Sequence, residues 1–202
     1  MLKHILFTCF FFFTAIPLLK AQGCGNDEKY HLPYKNTYVK EPLVAENEYR
    51  IAKPETVEPK SFEEARQILP NPIWAGHEKE LEMYWRAWEI AVGNIRAPQQ
   101  GSGFVSSYLD TAYNGNIFMW DSSFILMFAR YGTRFFPFQR TLDNFYAKQH
   151  PDGFICREIK ADGADCFERY DPVSTGPNLM PWCEMVYYYQ FGDTERLHKI
   201  FP

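Results

Sequence analysis

The sequence predicts an all-α domain, a partial double-layered toroid of helical hairpins, and three observations lead to it. Helical periodicity runs from Ile73 onward. The only segment with a strand-like alternation is Gly153–Ile159. Mostly apolar helices alternate with amphipathic ones, over residues 118–131, 137–149, 178–191 and from 194 onward. That alternation is typical of an inner ring of buried helices inside an outer ring.

Residues 1–23 are typical of a signal peptide. Their apolar run, from Ile5 to Leu19, is too short and wrongly flanked for a membrane-spanning helix. Cys24 leaves two kinds of cleavage open. Residues 21–24 resemble a loose lipobox, in which the cysteine becomes lipidated and attaches the protein to a membrane, whereas ordinary cleavage leaves a plain thiol. Either way we expect an exported protein, periplasmic or a lipoprotein of the outer membrane or cell surface.

Residues 24–72 are polar and punctuated by prolines, so we expect a tether followed by an arm that lies over the main domain. One short helix is predicted at Ser61–Leu69, because Ser61 and Glu64 form a capping-box pattern. The main domain then occupies residues 73–202.

Each later helix has an apolar pattern and a signal that starts or ends it. The first, which we expect to end at Pro98, carries one apolar stripe made by Leu81, Trp85, Trp88 and Val92. The helix over 118–131 is apolar almost all round and is therefore expected to be buried. Pro137 begins an amphipathic helix, which we expect to be an outer one. Asn178 and Asp193 are placed to cap the last two helices.

Two long loops, 97–116 and 150–176, precede the predicted buried helices and therefore lie on one rim, where rigid scaffolds usually carry binding residues. The last helix has barely two turns when the sequence reaches Pro202. Four or five helices cannot close a toroid. We therefore expect the buried helices to expose apolar flanks, and residues 73–202 to be the N-terminal part of a longer domain.

Charge and cysteine usage argue against a nucleic-acid-binding protein and against a metalloprotein. The chain has 21 Lys+Arg against 25 Asp+Glu, a net charge of −4, whereas a general nucleic-acid binder needs a basic face. Cys156 and Cys166 could form a disulfide in an oxidising compartment, and buried free thiols are the equal alternative. No CxxC or Cys/His ligand spacing occurs, so we predict no metal site and no cofactor.

The rim carries residue types that bind sugars, whose C–H faces stack on aromatic rings and whose hydroxyls bond to carboxylates and guanidinium groups. Trp120 beside Asp121 offers both surfaces at a helix start. The other candidates on the two loops are Phe104, Tyr108, Asp152, Arg157 and Glu158. The residues alone leave another interpretation open, in which Trp120 is a core residue, Asp121 is satisfied by backbone N–H groups, and the charged pair meets opposite charges nearby.

Three ordered blocks resemble a bacterial glycoside hydrolase family of mannosylglycerate-hydrolase-like and trehalase-like enzymes with an (α/α)6 barrel. The blocks are GSGFVSSYLD at 101–110, NIFMWDSSF at 116–124 and LDNFYAKQHPDGFICREI at 142–159. The MWDSSF stretch is similar to the trehalase Trp-Asp-Ser signature. The resemblance covers about residues 73–202.

The resemblance implies roles for individual residues. Trp120 and Asp121 match the family's sugar-binding Trp-Asp pair in the −1 subsite. Asp152, Arg157 and Glu158 match the loop that follows, which makes them substrate-contact candidates. The chain departs from the family before the fourth helix, where it has Gly-Pro-Asn in place of a frequent Pro-Pro pair.

The resemblance implies hydrolysis of an oligosaccharide or small glycoside with inversion, which needs a general acid and a general base on opposite faces of the sugar. In the family both carboxylates come from later segments, so we expect them beyond residue 202 and assign no catalytic residue in this chain. Two alternatives stay open: a non-catalytic, glycan-binding surface lipoprotein, and a helical scaffold for protein contacts.

Overall fold

The computed structural model describes residues 38–58, 60–169, 171 and 176–201, and it is mostly helical. The predicted signal peptide and Cys24 lie outside the described residues. Within the described ranges there are six α-helices: α1 (Phe62–Ile68), α2 (Glu78–Gly93), α3 (Met119–Ala129), α4 (Thr141–Ala147), α5 (Met180–Phe191) and α6 (Thr194–Ile200). The all-α expectation is therefore confirmed at the level of helix content.

Three helix boundaries follow the local chemistry that the sequence shows, whereas the prediction that Asn178 caps α5 is wrong, because α5 begins after Leu179 without a side-chain cap. The capping box is present, since Ser61 Oγ accepts from the Glu64 N–H and the Glu64 carboxylate accepts from the Ser61 N–H. Asp193 caps α6 by accepting from the Arg196 N–H at 2.9 Å. Gly192 ends α5 at a φ of +67°, a left-handed conformation that favours glycine. Helix α2 ends at Gly93, before the expected Pro98.

Two short antiparallel ladders are present, and of their four strands only the last lies in a segment where the sequence predicts a strand pattern. Strand β1 (Ile95–Arg96) pairs with β2 (Tyr108–Leu109), and this pairing is what ends α2 early. Strand β3 (Ile117–Phe118) pairs with β4 (Glu158–Ile159), the end of the segment with strand-like alternation. Strands of two residues carry too little pattern to be predicted from alternation.

Helices α3 and α5 lie side by side and run in the same direction. Phe124, in the middle of α3, contacts Trp182 near the start of α5, with ring centroids 5.9 Å apart. Near the ends of both helices, Arg130 Nε donates to Gln190 Oε1 at 2.7 Å. Both helices therefore begin at the same end of the domain. The two helices and the turn that follows α3 also expose apolar side chains, a set made of Trp120, Phe124, Tyr131, Trp182, Tyr189 and Phe191.

The prediction that α4 is an outer, amphipathic helix is wrong, because residues 141–145 are all buried. Its polar residues are satisfied by specific partners. Asn144 Oδ1 accepts from the N–H groups of Val105 and Ser106, and its Nδ2 donates to the Ser106 carbonyl. A polar side chain with all its hydrogen bonds made can be buried at modest cost, and periodicity does not detect such pairing.

A buried charged cluster joins α4, α5 and α6. Arg196 binds Glu184 through two nitrogens, at 2.8 Å and 2.6 Å, and binds Asp143 through a third at 2.8 Å. Gln139 Nε2 and Tyr146 OH also donate to the Glu184 carboxylate. The three charges are removed from water together, so each depends on the others for compensation.

Residues 38–57 contact the helical part of the chain along their length. Asn47 Nδ2 donates to both the Tyr146 carbonyl and Gln149 Oε1 at 2.8 Å. The Glu55 N–H donates to the Val105 carbonyl at 2.8 Å, and the Lys199 ammonium lies 4.3 Å from the Tyr49 ring centroid. This arm therefore ties α4 and α6 to the segment that precedes β2.

Candidate functional site

The pairing of β3 with β4 brings together the two segments that carry the sequence-predicted site. Phe118 lies opposite Glu158 in this ladder, and the Met119 N–H donates to the Arg157 carbonyl at 2.8 Å. Trp120 and Asp121 follow directly in the first turn of α3. The two segments are separated by almost forty residues in the chain and meet at one end of α3.

The two long loops also pack against each other. Gly163, at a φ of +85°, lies so close to the Ser102 carbonyl that an added Cβ would overlap it. Lys148 Nζ donates to the same carbonyl at 3.3 Å. A Cβ at Gly115 would come within 3.0 Å of Ala161 Cβ. The two loops therefore contact each other at these positions.

Trp120 and Asp121 are both exposed at this rim. The Trp120 side chain is 49% exposed, and its ring centroid lies 5.0 Å from that of Phe124 one turn later. Asp121 is the acidic residue of the first turn of α3, where the helix dipole favours a negative charge. The interpretation of Trp120 as a core residue is therefore wrong, while the helix dipole remains sufficient to explain Asp121.

Glu158 is half-buried and held by a residue that the sequence did not single out for the site. Asn116 Nδ2 donates to Glu158 Oε1 at 3.1 Å, and Asn116 Oδ1 accepts from the Ala161 N–H at 3.2 Å. The amide thus fixes the carboxylate and the turn after β4 at once. A polar residue just before a strand is the only sequence signal for this role.

Arg157 and Asp152 have clear structural partners. The Arg157 guanidinium lies 4.1 Å from the Phe167 ring centroid. Asp152 forms an ion pair with Arg169, and its Oδ1 accepts from the Phe154 N–H at 3.0 Å. These contacts give Asp152 a role in shaping its own loop, so its assignment as a substrate contact loses support.

Phe104 and Tyr108 require a correction. Both are 1% exposed, and their rings pack edge to face with centroids 5.4 Å apart. Tyr108 OH donates to the Gly115 carbonyl at 2.6 Å, and burial raises the pKa of Tyr108 to about 12. These rings support the rim from below and cannot stack on a sugar in this structure. The sequence motif showed that both residues belong to the loop but not whether their side chains point to solvent or to the core.

Cys156 is a buried free thiol, so the Cys156–Cys166 disulfide is not formed. Its Sγ donates to the Glu158 carbonyl at 3.0 Å, and burial raises the pKa of Cys156 to about 11. A buried thiol of high pKa is a poor nucleophile, so Cys156 acts as a packing residue. Its bond to the Glu158 backbone helps to hold β4 in place.

Across the described ranges, no group of three or more His, Cys, Asp or Glu residues is arranged to hold a metal ion. None of the helices in the same ranges combines the length and apolarity that crossing a membrane requires.

The site is therefore a rim that combines exposed aromatic rings with carboxylates, built where β3 and β4 pair at the start of α3. Comparison with known proteins gave no match to any family model, curated protein or solved structure.

Proposed function

We propose that this chain carries the sugar-binding surface of a glycoside hydrolase, and that Trp120, Asp121 and Glu158 contact the sugar. The observation that carries the proposal is the β3–β4 pairing, which brings the first turn of α3, with the exposed Trp120 and Asp121, next to the strand that carries Glu158. Indole faces and carboxylates are complementary to the two kinds of surface that a pyranose offers.

The proposal includes the resemblance-based expectation of an (α/α)6 toroid. The parallel run of α3 and α5 supports it, since neighbouring inner helices of such a ring run in one direction. In this arrangement the sugar lies across the ends where both helices begin. The general acid and base of an inverting mechanism are not assigned to any residue of this chain.

Saccharide binding tests the proposal, with intrinsic tryptophan fluorescence and calorimetry as readouts. Trp120→Ala and Asp121→Asn are each expected to weaken affinity at least about tenfold, because each removes a stacking surface or a charge-assisted hydrogen bond. Trp74→Ala is the matched control, since Trp74 is also exposed but stacks on His77, before α2. Saccharide affinity that is unchanged in Asp121→Asn, or absent from the unsubstituted chain, contradicts the proposal.

Product release separates hydrolysis from binding alone. Because no residue here is assigned as acid or base, we expect the 202-residue chain to bind saccharides without cleaving them. Cleavage by this chain would show that our assignment of residues is incomplete. A glycan-binding protein without catalysis remains the alternative function, and it predicts the same effects of Trp120→Ala and Asp121→Asn.

A further inference from the structure

A continuous row of exposed aromatic rings crosses from α3 to α5. Trp120 and Phe124 have centroids 5.0 Å apart, and Phe124 and Trp182 have centroids 5.9 Å apart. The side chains are 49%, 45% and 44% exposed, respectively. Exposed apolar groups in a continuous row, rather than scattered singly, mark a binding surface.

The row exists because of how the two helices lie. Trp120 is the second residue of α3 and Trp182 is the third residue of α5, and the helices run parallel from the same end. Trp182 therefore lies level with Phe124, about one turn of α3 from Trp120 and Asp121. Phe124, one turn further along α3, fills the space between the two indoles.

Polar groups at the rim favour a saccharide over an apolar partner. A protein surface that covers both Trp120 and its neighbour Asp121 would bury the Asp121 carboxylate, which is unfavourable without a compensating charge or hydrogen bond. Sugar hydroxyls supply those hydrogen bonds while the C–H faces cover the rings. A ligand that is apolar on its faces and polar at its edges fits both features.

Phe124 contacts both indoles, so the row contains three ring positions. The two centroid separations set an upper limit of about 11 Å on the distance between the Trp120 and Trp182 rings. A sugar ring that stacks on Trp120 and a second ring of the same chain that stacks on Trp182 fit within that limit. Ring planes tilted by 49° and 59° along the row suit a curved, linked ligand better than a flat one.

We propose that Trp182 is a second stacking position and that the surface takes a linear oligosaccharide of at least two pyranose units, bound across the starts of α3 and α5. This inference rests on the proposed function, because Trp120 and Asp121 define the first unit. It adds a residue that the sequence did not single out and narrows the ligand from an oligosaccharide or small glycoside to a linear oligosaccharide.

Affinity as a function of ligand length tests this proposal. The probes are glucose and mannose, together with their linear oligomers of two to six units in α- and β-linked series. We expect affinity to rise from one unit to two or three and then level off. Trp182→Ala should weaken binding of the longer ligands about tenfold and leave monosaccharide binding within about twofold. Tyr189→Ala, an exposed aromatic at the other end of α5, is the control and should bind as the unsubstituted chain does.

The outcomes are distinguishable. If Trp182→Ala binds every oligomer normally while Trp120→Ala does not, Trp182 is not a stacking position and only the proposed function stands. If no probe binds the unsubstituted chain, both proposals fail. If the chain self-associates, and Trp182→Ala dissolves the association without changing saccharide affinity, the row is a protein contact and this inference is overturned. Size-exclusion chromatography with light scattering reports that last case.

Discussion

Helix α5 exposes an aromatic side chain on one side and buries a charged one on the other, whereas helices in folded domains usually do the opposite. Toward the rim, α5 exposes the indole of Trp182, whereas on its inner side it buries the Glu184 carboxylate against Arg196. The Glu184 carboxylate is stabilised by its hydrogen bonds to Arg196 and Gln139. The Trp182 indole is accessible to solvent because α3 does not cover it. A charged residue is therefore buried in this fold while an aromatic one is exposed.

Arg196→Met tests the structural half of this comparison and should have the largest effect. It removes the cation that binds the buried Glu184 and Asp143 carboxylates and leaves only the 3.6 Å pair between Arg140 and Asp143, so we expect the free energy of unfolding to fall by about 3–5 kcal/mol. Urea denaturation measures it. Arg86→Met is the control, because Arg86 forms an exposed pair with Glu89 on α2, and its loss should change stability by less than about 1 kcal/mol.

A second substitution keeps this test informative even if Arg196→Met unfolds. Adding Glu184→Gln replaces the buried Glu184 carboxylate, which has lost its bonds to Arg196, by a neutral amide. The double variant should therefore recover part of the lost stability. A change below about 1 kcal/mol in Arg196→Met would contradict a structural role for the cluster.

Gly163→Ala tests how the rim is held together. Alanine at this positive φ is strained, and its Cβ would overlap the Ser102 carbonyl, so the two loops must separate. We expect a loss of about 1–3 kcal/mol in the free energy of unfolding, together with weaker saccharide binding. Gly101→Ala is a matched control, because Gly101 has a similar φ of +83° with no atom near the added Cβ. Equal effects of the two substitutions would show that strain alone, and not loop contact, matters.

Trp120→Ala tests the functional half, and it should affect stability less. Because half of the side chain is exposed, we expect a loss of about 1 kcal/mol or less in the free energy of unfolding. Trp88→Ala, which removes a buried indole that packs against Gly132 and Phe138, should cost about 3–5 kcal/mol. Comparable losses from both variants would mean that Trp120 belongs to the core.

Glu55→Gln should have the smallest effect, and that effect should depend on pH. A hydrogen bond from Arg140 lowers the pKa of Glu55 below its ordinary value of 4.5. A lowered pKa in the folded state stabilises the fold above pH 4.5, and the contribution disappears as the pH falls through the folded-state value. At pH 7 we expect a loss of about 0.2–1 kcal/mol, since the pair is largely exposed.

Urea denaturation of Glu55→Gln at pH 7 and at pH 3.5 measures this dependence. The difference in the free energy of unfolding between Glu55→Gln and the unsubstituted chain should be smaller at the lower pH. Glu82→Gln, on the exposed side of α2, should show no such change. A difference that grows on acidification would contradict the assigned direction.

The sequence predicts helices well where caps and apolar stripes are local, as at Ser61 and Asp193. It fails where burial depends on partners far along the chain. Helix α4 looks amphipathic because Asp143 and Asn144 are polar, and only the fold shows that Arg196 and the backbone at 105–106 satisfy them. Long-range pairing of polar groups leaves no periodic signal.

The candidate site divides in the same way. Trp120, Asp121 and Glu158 are found from their residue types and from a family resemblance. Asn116 and Trp182 are missed. Asn116 is recognised only through its hydrogen bond to Glu158, and Trp182 only through its contact with Phe124 of α3. Phe104 and Tyr108 show the opposite error, since motif membership does not reveal which side of a loop faces solvent.

The arm has a consequence for how the protein is made. Asn47 bonds to Tyr146 and Gln149, which lie 99 and 102 residues later in the chain. At about 5–20 residues per second, a ribosome completes those partners roughly 5–20 seconds after the arm has emerged. The arm thus leaves the ribosome before the residues that it binds, and a chaperone that binds nascent chains has that interval in which to hold it.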